Sequence, residues 1–384
     1  MARSCVFLLL FLASAVPARG QASAQAPAPA DFERLLARAM ELHQAGDLLG
    51  AVDTYKTALT LDPARVDALS NLGAAYVRLG QFDDAIEQYE EALKHDGMNS
   101  AVRLNLALAY YKSARPQHAI PQLKRVLAAE PDSRNAYLIL ADCYLQTGQD
   151  QEVANLLKPR SQMFENDLAY AYLLGTALLY AGDAVEGQKY VDRVFGAGES
   201  AEAHLLLGIA HLGQHDYGAA KTELEQALKL NPKLATAHSL YGRSLLALGE
   251  QADAEQAFRR ELDLNVNDFE ANLQLGNIRK GGQRFDEAST YLERATTIRP
   301  QDLTARKLLA SLRMQTGKTE EALGMLEALV KEAPDVVEVH VMLATAYNRL
   351  NRKEDAQRER AIIDRLNAEA QAKQPGAIKK APQP

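Results

Sequence analysis

Residues 66–99 read VDALSNLGAAYVRLGQFDDAIEQYEEALKHDGMN, and the fold of the chain follows from this stretch of 34 residues. Apolar side chains recur at helical spacing in its first half, as at Leu72 and Tyr76. A second helical stripe, which includes Tyr89, begins after Gly80. Glycine adopts the left-handed conformation that ends a helix at little cost, so Gly80 marks the turn between two helices. The stretch therefore predicts a helix–turn–helix unit.

The same pattern returns along the chain at a nearly constant interval. Nine steps, eight of 34 residues and one of 33, connect ten repeats, with positions counted from the start of each repeat. The repeats start at Phe32, Val66, Ser100, Arg134, Leu168, Ala201, Ala235, Phe269, Leu303 and Val337. Position 8 is Gly or Ala in all ten repeats, and position 20 is Ala in eight, which allows two helices to approach closely. Self-similarity at this period indicates stacked helical hairpins that share one core.

These residues resemble the motif of the tetratricopeptide repeat family. That motif has a small residue at position 8, Ala at 20, an aromatic residue at 24 and Pro at 32, which stand here as Gly73, Ala85, Tyr89 and, in the first repeat, Pro63. The family's tryptophan at position 4 is missing, since the chain contains no Trp. The resemblance covers residues 32–366. It implies an all-α fold, an α-solenoid of about ten helix–turn–helix repeats that forms a right-handed superhelix with the first helices on its concave side.

The repeats between residues 134 and 200 are weak. Pro159 falls where the second helix of its repeat should continue, and proline inside a helix costs about 3 kcal/mol. Gly187 replaces the usual Ala at position 20 of the next repeat. Two interpretations stay open, a degenerate repeat or a hinge at residues 158–167.

The two ends of the chain differ from the array. Residues 5–16 carry no charge, follow an arginine and precede small residues, which predicts a secretory signal peptide over residues 1–24. Residues 25–31 read as a Pro/Ala linker, and residues 367–384 as a disordered tail. The apolar run is shorter than the roughly 20 residues of a membrane span, so we expect a bacterial protein that is exported, periplasmic or secreted, without a membrane span after cleavage. An uncleaved anchor is the alternative.

The motifs of common enzyme classes are missing from the sequence. Residues 316–319 read TGKT, like the end of a phosphate-binding loop, but the first glycine of that motif would fall at Leu312. His211 and His215 stand four residues apart, as zinc ligands on a helix do, without an obvious further ligand. The net charge is −7 and no run of lysine and arginine exceeds two residues, which disfavours nucleic-acid binding. We therefore expect no enzyme activity, no catalytic residues, no cofactor, no metal and no nucleic-acid partner.

The family resemblance also implies which residues face the concave groove, namely positions 2, 5, 9, 12 and 13 of each first helix. In repeats three to seven these positions carry large apolar residues: Leu104, Leu108, Tyr111, Leu138, Leu145, Tyr172, Leu179, Tyr180, Leu205, Ile209, Leu212 and Leu246. Polar residues interrupt them at Lys112, Asn135, Asp142, Thr176, Glu202 and Arg243. A solvated face does not normally carry so many large apolar residues, so we expect either a groove that binds a peptide or helix, or a face that packs on itself.

The resulting functional hypothesis is a non-catalytic scaffold or adaptor whose apolar concave groove binds protein or peptide segments, with a role in envelope assembly or secretion. Two other hypotheses remain open. One is an accessory subunit that selects substrates for a separate enzyme, such as a glycosyltransferase. The other is a self-assembling structural protein. The sequence does not specify the oligomeric state.

Overall fold

The structure, a computed structural model, describes residues 30–372, which form twenty α-helices and one 3₁₀ helix joined by short turns. These residues divide into two compact units. The first unit contains residues 30–254 together with 264–266, and the second contains residues 255–263 and 267–372.

The helices alternate between the first and second helix of each repeat. The first five repeats contain α1 (Ala30–Ala45), α2 (Leu48–Leu61), α3 (Val66–Leu79), α4 (Phe82–His95), α5 (Ser100–Lys112), α6 (Pro116–Ala129), α7 (Arg134–Gln146), α8 (Asp150–Leu157), α9 (Leu168–Tyr180) and α10 (Ala184–Gly196). The other five contain α11 (Ala201–Gly213), α12 (Tyr217–Leu230), α13 (Ala237–Ala247), α14 (Gln251–Leu264), α15 (Phe269–Gly281), α16 (Phe285–Ile298), α17 (Leu303–Gln315), α18 (Thr319–Glu332), α19 (Val337–Arg349) and α20 (Lys353–Ala372). Consecutive helices pack on one another from α1 to α13 and again from α15 to α20, which confirms the all-α solenoid of helix–turn–helix repeats.

Local signals place the helix ends. Eight of the ten first helices begin at the residue where the sequence alignment starts the repeat. Asn99 caps α5 by accepting a hydrogen bond from the backbone N–H of Val102, a contact that satisfies a donor the helix itself leaves unpaired. Gly80 ends α3 with a φ of 75°, the left-handed conformation expected at that turn. In repeat seven the first helix starts two residues late, because Thr236 has a φ of 65° and cannot join the helix.

Glycine at position 8 brings the two helices of a repeat into close contact. A Cβ atom built at Gly208 would lie 2.6 Å from Cγ of Leu224, and one at Gly276 would lie 2.7 Å from Cγ of Leu292. These distances are far below an ordinary carbon–carbon contact of about 3.5–4.0 Å. The leucines stand at position 24 of their repeats, in the second helix, so the small residue and its large partner form one interlocking pair.

Histidine stands at the position of the missing tryptophan in three repeats, and in two of these it pairs with a glutamate. The ring of His204 pairs with Glu223, with 2.7 Å between Nδ1 and Oε2. The ring of His340 pairs in the same way with Glu359, at 2.5 Å, and its Nε2 lies 2.8 Å from the carbonyl oxygen of Pro334. Both histidines are buried. A polar bridge from position 4 to position 23 therefore joins two helices that the family usually joins by packing an indole.

The weak fourth repeat is broken but well packed. Helix α8 ends at Leu157, and a 3₁₀ helix covers Lys158–Phe164, which includes Pro159. Phe164 is fully buried and stacks on Tyr170 with 5.2 Å between ring centroids. The aromatic contacts tie this segment to the hydrophobic core.

The chain ends fall only partly within the described region. Helix α20 continues to Ala372, so residues 367–372 are helical where the sequence predicts the start of a disordered tail. Helix α1 begins at Ala30, inside the predicted linker. The predicted signal peptide, the rest of the linker and residues 373–384 lie outside the described residues. None of the helices between residues 30 and 372 has the length and apolar character needed to cross a membrane.

Candidate binding groove

The face predicted to bind a partner lies on α5, α7, α9, α11 and α13, all within the first unit. We call this face of the five helices the groove face. Its twelve predicted residues differ in exposure. Five are buried: Leu138, Leu145, Leu205, Ile209 and Leu212. Six are half-buried: Leu104, Leu108, Tyr111, Tyr172, Leu179 and Leu246. Tyr180 is 40% exposed, which makes it the most accessible member of the set.

Part of the groove face packs on itself. Leu138 and Leu145 belong to a continuous hydrophobic cluster, against which Leu108 also packs. Leu205 and Ile209 belong to the cluster of the next repeats along the chain. The buried residues therefore fit the self-packing interpretation, whereas the half-buried residues and Tyr180 keep part of their surface accessible.

A line of polar groups crosses this apolar face. Tyr111, Asp142, Tyr172 and Glu202 stand at positions 12, 9, 5 and 2 of four successive repeats. The Tyr111 hydroxyl donates a hydrogen bond to Oδ2 of Asp142 at 2.6 Å. Burial raises the pKa of Tyr172, and the nearby carboxylates of Asp142 and Glu202 raise it further. We call these four residues, together with Thr176, the acidic seam.

Asp142 is held at the centre of the acidic seam. Its Oδ2 accepts hydrogen bonds from Tyr111 and from Nε2 of Gln146, the latter at 2.8 Å. Burial raises the pKa of Asp142, although both hydrogen bonds oppose that shift. Its charge in turn raises the pKa of Tyr111 well above the ordinary range. Oδ1 of Asp142 accepts no hydrogen bond from residues 30–372, so one carboxylate oxygen remains available.

Two further polar side chains of the acidic seam lack partners. Glu202 is 5% exposed in the first turn of α11, and it forms no ion pair or hydrogen bond within the described part of the chain. Thr176 is 4% exposed and follows Tyr172 by one helical turn on α9. Its Oγ1 makes no hydrogen bond of acceptable geometry among these residues, although Thr176 is close enough to Tyr172 to act on the pKa of that phenol.

The sequence names Asp142, Thr176 and Glu202 only as interruptions of the apolar stripe. In the structure all three act on the pKa of Tyr172, which lies between them in the order of the repeats. Tyr111 and Asp142, which are 31 residues apart, meet directly. The sequence signal for this arrangement is that each polar residue stands three or four positions earlier in its repeat than the one before it, at positions 12, 9, 5 and 2.

The remaining candidate chemistry of this region is inert. Cys143 is fully buried, and burial raises its pKa well above the ordinary value, with a smaller contribution from Asp142. A thiol in this state is a poor nucleophile. Among residues 30–372, no three His, Cys, Asp or Glu side chains are grouped closely enough to hold a metal ion.

Comparison with known sequences identifies the family. One profile described as Tetratricopeptide repeat matches residues 205–268, and a second matches residues 42–103, 112–177, 281–340 and 313–375. The chain belongs to the tetratricopeptide repeat family. Proteins of this family are scaffolds for protein interactions and are generally non-catalytic.

This tetratricopeptide repeat chain is similar to one curated protein in sequence and to a solved structure in fold. Anaphase-promoting complex subunit 3 of Schizosaccharomyces pombe is 25% identical over 168 residues, which cover 44% of this chain and 25% of the relative. The chain thus matches about a quarter of that protein's length. The crystal structure of the APC/C hetero-tetramer Cut9–Hcn1 contains a similar fold, with a TM-score of 0.56 and 17% identity over 88% of this chain and 75% of that one.

Proposed function

We propose that this protein is a non-catalytic scaffold that binds a peptide or helical segment of a partner protein on its groove face. One observation carries the proposal. Large apolar side chains of the first helices remain partly accessible in the folded first unit, including Leu108, Tyr180 and Leu246. Tyrosine and leucine anchors on such a face suit a helix or an extended segment that inserts apolar residues.

The comparisons support a role within a protein assembly. Both similar proteins are named as parts of a multi-subunit complex, and the family serves protein interactions. The apolar segment over residues 5–16 supports export. We therefore propose that the scaffold acts outside the cytoplasm, in envelope assembly or secretion.

The test is crosslinking and capture of partners from the native host, with one variant that changes the accessible groove residues. Tyr180→Glu combined with Leu246→Glu places two charges on the groove face without touching its buried residues. A matched control variant, Met98→Glu combined with Val185→Glu, adds the same charges at positions that are 88% and 80% exposed and lie outside that face.

We expect the first variant to lose partners that both the wild type and the control variant retain. Circular dichroism establishes that all three proteins keep the same helical content. Equal partner sets for the three proteins would contradict binding at the groove face. A catalytic chain among the groove-dependent partners would assign the array an accessory role in an enzyme complex.

A further inference from the structure

We propose that the acidic seam binds the cationic head of a lysine or arginine side chain carried by the partner segment. This inference rests on the proposed function, since it names the chemistry that the groove face selects. Asp142 and Glu202 supply the negative charge, and Thr176 supplies a further acceptor oxygen. The partner's apolar residues occupy the accessible surface on either side.

No cation within residues 30–372 compensates the charge of the acidic seam. Neither Asp142 nor Glu202 forms an ion pair with any residue between 30 and 372. A partner that covers these carboxylates removes them from water, which is costly unless the partner supplies a cation or hydrogen-bond donors in exchange. Tyr111 and Gln146 provide donors for one oxygen of Asp142 only. A partner's cation would pair with the carboxylate oxygens of Glu202 and with Oδ1 of Asp142, which accept no hydrogen bond from residues 30–372.

A buried hydroxyl beside Tyr172 also points to a ligand. The hydroxyl of Thr176 is buried and makes no hydrogen bond of acceptable geometry within residues 30–372, although it lies close enough to the Tyr172 phenol to lower the pKa of that group. Thr176 lies on the same face of α9 as Tyr172 and Tyr180. An unsatisfied buried hydroxyl is unusual in a folded protein, and it points to a group that is present only in the complex. An ammonium or guanidinium group is a donor without acceptor capacity, which complements a hydroxyl oxygen of this kind.

The walls of the site suit the rest of a long basic side chain. Leu138 lies one helical turn before Asp142 on α7, and Leu108 packs against the same hydrophobic cluster. Lysine and arginine place their methylene groups along apolar surface of this kind while the charged end reaches polar groups. The ring of Tyr180, which is 40% exposed, offers a face for a cation–π contact. An anionic or purely apolar side chain would leave both carboxylates without a partner.

The experiment selects ligands for the purified protein from a phage-displayed library of random peptides. We expect the wild type to enrich peptides in which one basic residue is flanked by apolar residues. A synthetic peptide of the selected sequence is then compared with a twin in which norleucine replaces the basic residue. The basic peptide should bind the wild type about tenfold more tightly or better, the factor expected for a charge-assisted hydrogen bond.

The variant Asp142→Asn combined with Glu202→Gln keeps the shape of the acidic seam and removes both charges. It should bind the two synthetic peptides with similar affinity. The matched control, Asp132→Asn combined with Glu338→Gln, makes the same change in charge at exposed positions, and its glutamate also stands at repeat position 2. It should retain the preference of the wild type. Glu202→Gln alone, at the end of a helix, provides a second variant that should fold even if the double variant does not.

The possible outcomes separate the two proposals. Enrichment of apolar peptides without a basic residue would overturn the assignment of the acidic seam and leave the groove scaffold intact. A basic preference that persists in both the double variant and Glu202→Gln would also overturn it. Failure of the wild type to enrich any peptide would contradict peptide binding by the groove face itself.

Discussion

Replacing Gly276 by Ala tests whether the interlocking glycine and leucine pairs set the spacing between helices. The added Cβ would lie 2.7 Å from both Cγ and Cδ2 of Leu292, about 1 Å closer than an ordinary contact. Overpacking of this kind costs about 1–3 kcal/mol of folding free energy. Alanine is more favourable than glycine in a helix interior by about 1 kcal/mol, which offsets part of this destabilisation. We expect Gly276→Ala to reduce the free energy of unfolding by about 0–2 kcal/mol.

The chain offers a matched control in the same unit. Gly324 lies inside α18, is exposed, and a Cβ built there meets no atom within 4 Å. Gly324→Ala should therefore stabilise the protein by about 1 kcal/mol, since only the helix propensity changes. The difference between the two variants is then about 1–3 kcal/mol.

Urea unfolding followed by circular dichroism gives the free energies, and hydrogen exchange of α16 reports the local effect where unfolding is not two-state. A second substitution, Leu292→Ala, should reduce the cost of Gly276→Ala, because it removes the atoms that clash. Equal stabilisation by Gly276→Ala and Gly324→Ala would refute the reasoning. So would a cost of Gly276→Ala that is unchanged in the Leu292→Ala background.

Three further predictions concern electrostatics, buried hydrogen bonds and processing. Asp142→Asn should stabilise the protein near neutral pH. Burial raises the pKa of Asp142 in the folded state, so the stability from its protonated form is lost as pH rises through that pKa. The advantage of the variant in urea unfolding should shrink as pH falls, and a constant advantage would contradict this explanation. His340→Phe should reduce the free energy of unfolding by about 1–3 kcal/mol, because Glu359 and the carbonyl of Pro334 lose a buried partner. His340→Gln should restore part of that stability. Unchanged hydrogen exchange in α19 and α20 of the His340→Phe variant would contradict the bridge. N-terminal sequencing of the protein from its native host should begin at Gln25, and an intact Met1 would exclude signal cleavage.

The recurrence of 34 residues was enough to predict the helices and most of their boundaries. Gly80 and the small residues at position 8 carry that information locally, since each acts within one hairpin. The break at Pro159 was also visible. What the sequence could not show is the 3₁₀ helix that follows, because its packing depends on Phe164 stacking on Tyr170 of the next repeat.

The groove face was harder to predict for a physical reason. The repeat position shows which face of the helix a residue is on, but not whether the neighbouring repeat covers that residue. Leu205 and Tyr180 both stand at positions that the family motif assigns to the groove. Leu205 is nevertheless fully buried and Tyr180 is 40% exposed. The acidic seam depends on contacts between residues of successive repeats, which no single repeat encodes.

The diagonal course of the acidic seam places a limit on how this array can evolve. Four successive repeats each contribute one residue at a different repeat position, from Tyr111 in the third repeat to Glu202 in the sixth. Duplication or loss of a unit between them would move the two carboxylates out of line, even though the solenoid itself would accept the change. The repeats that follow the sixth contribute no residue to the acidic seam, so their gain or loss would leave it intact. The array is therefore expected to tolerate gain and loss of modules near its C-terminal end while its third to sixth modules behave as one inherited block.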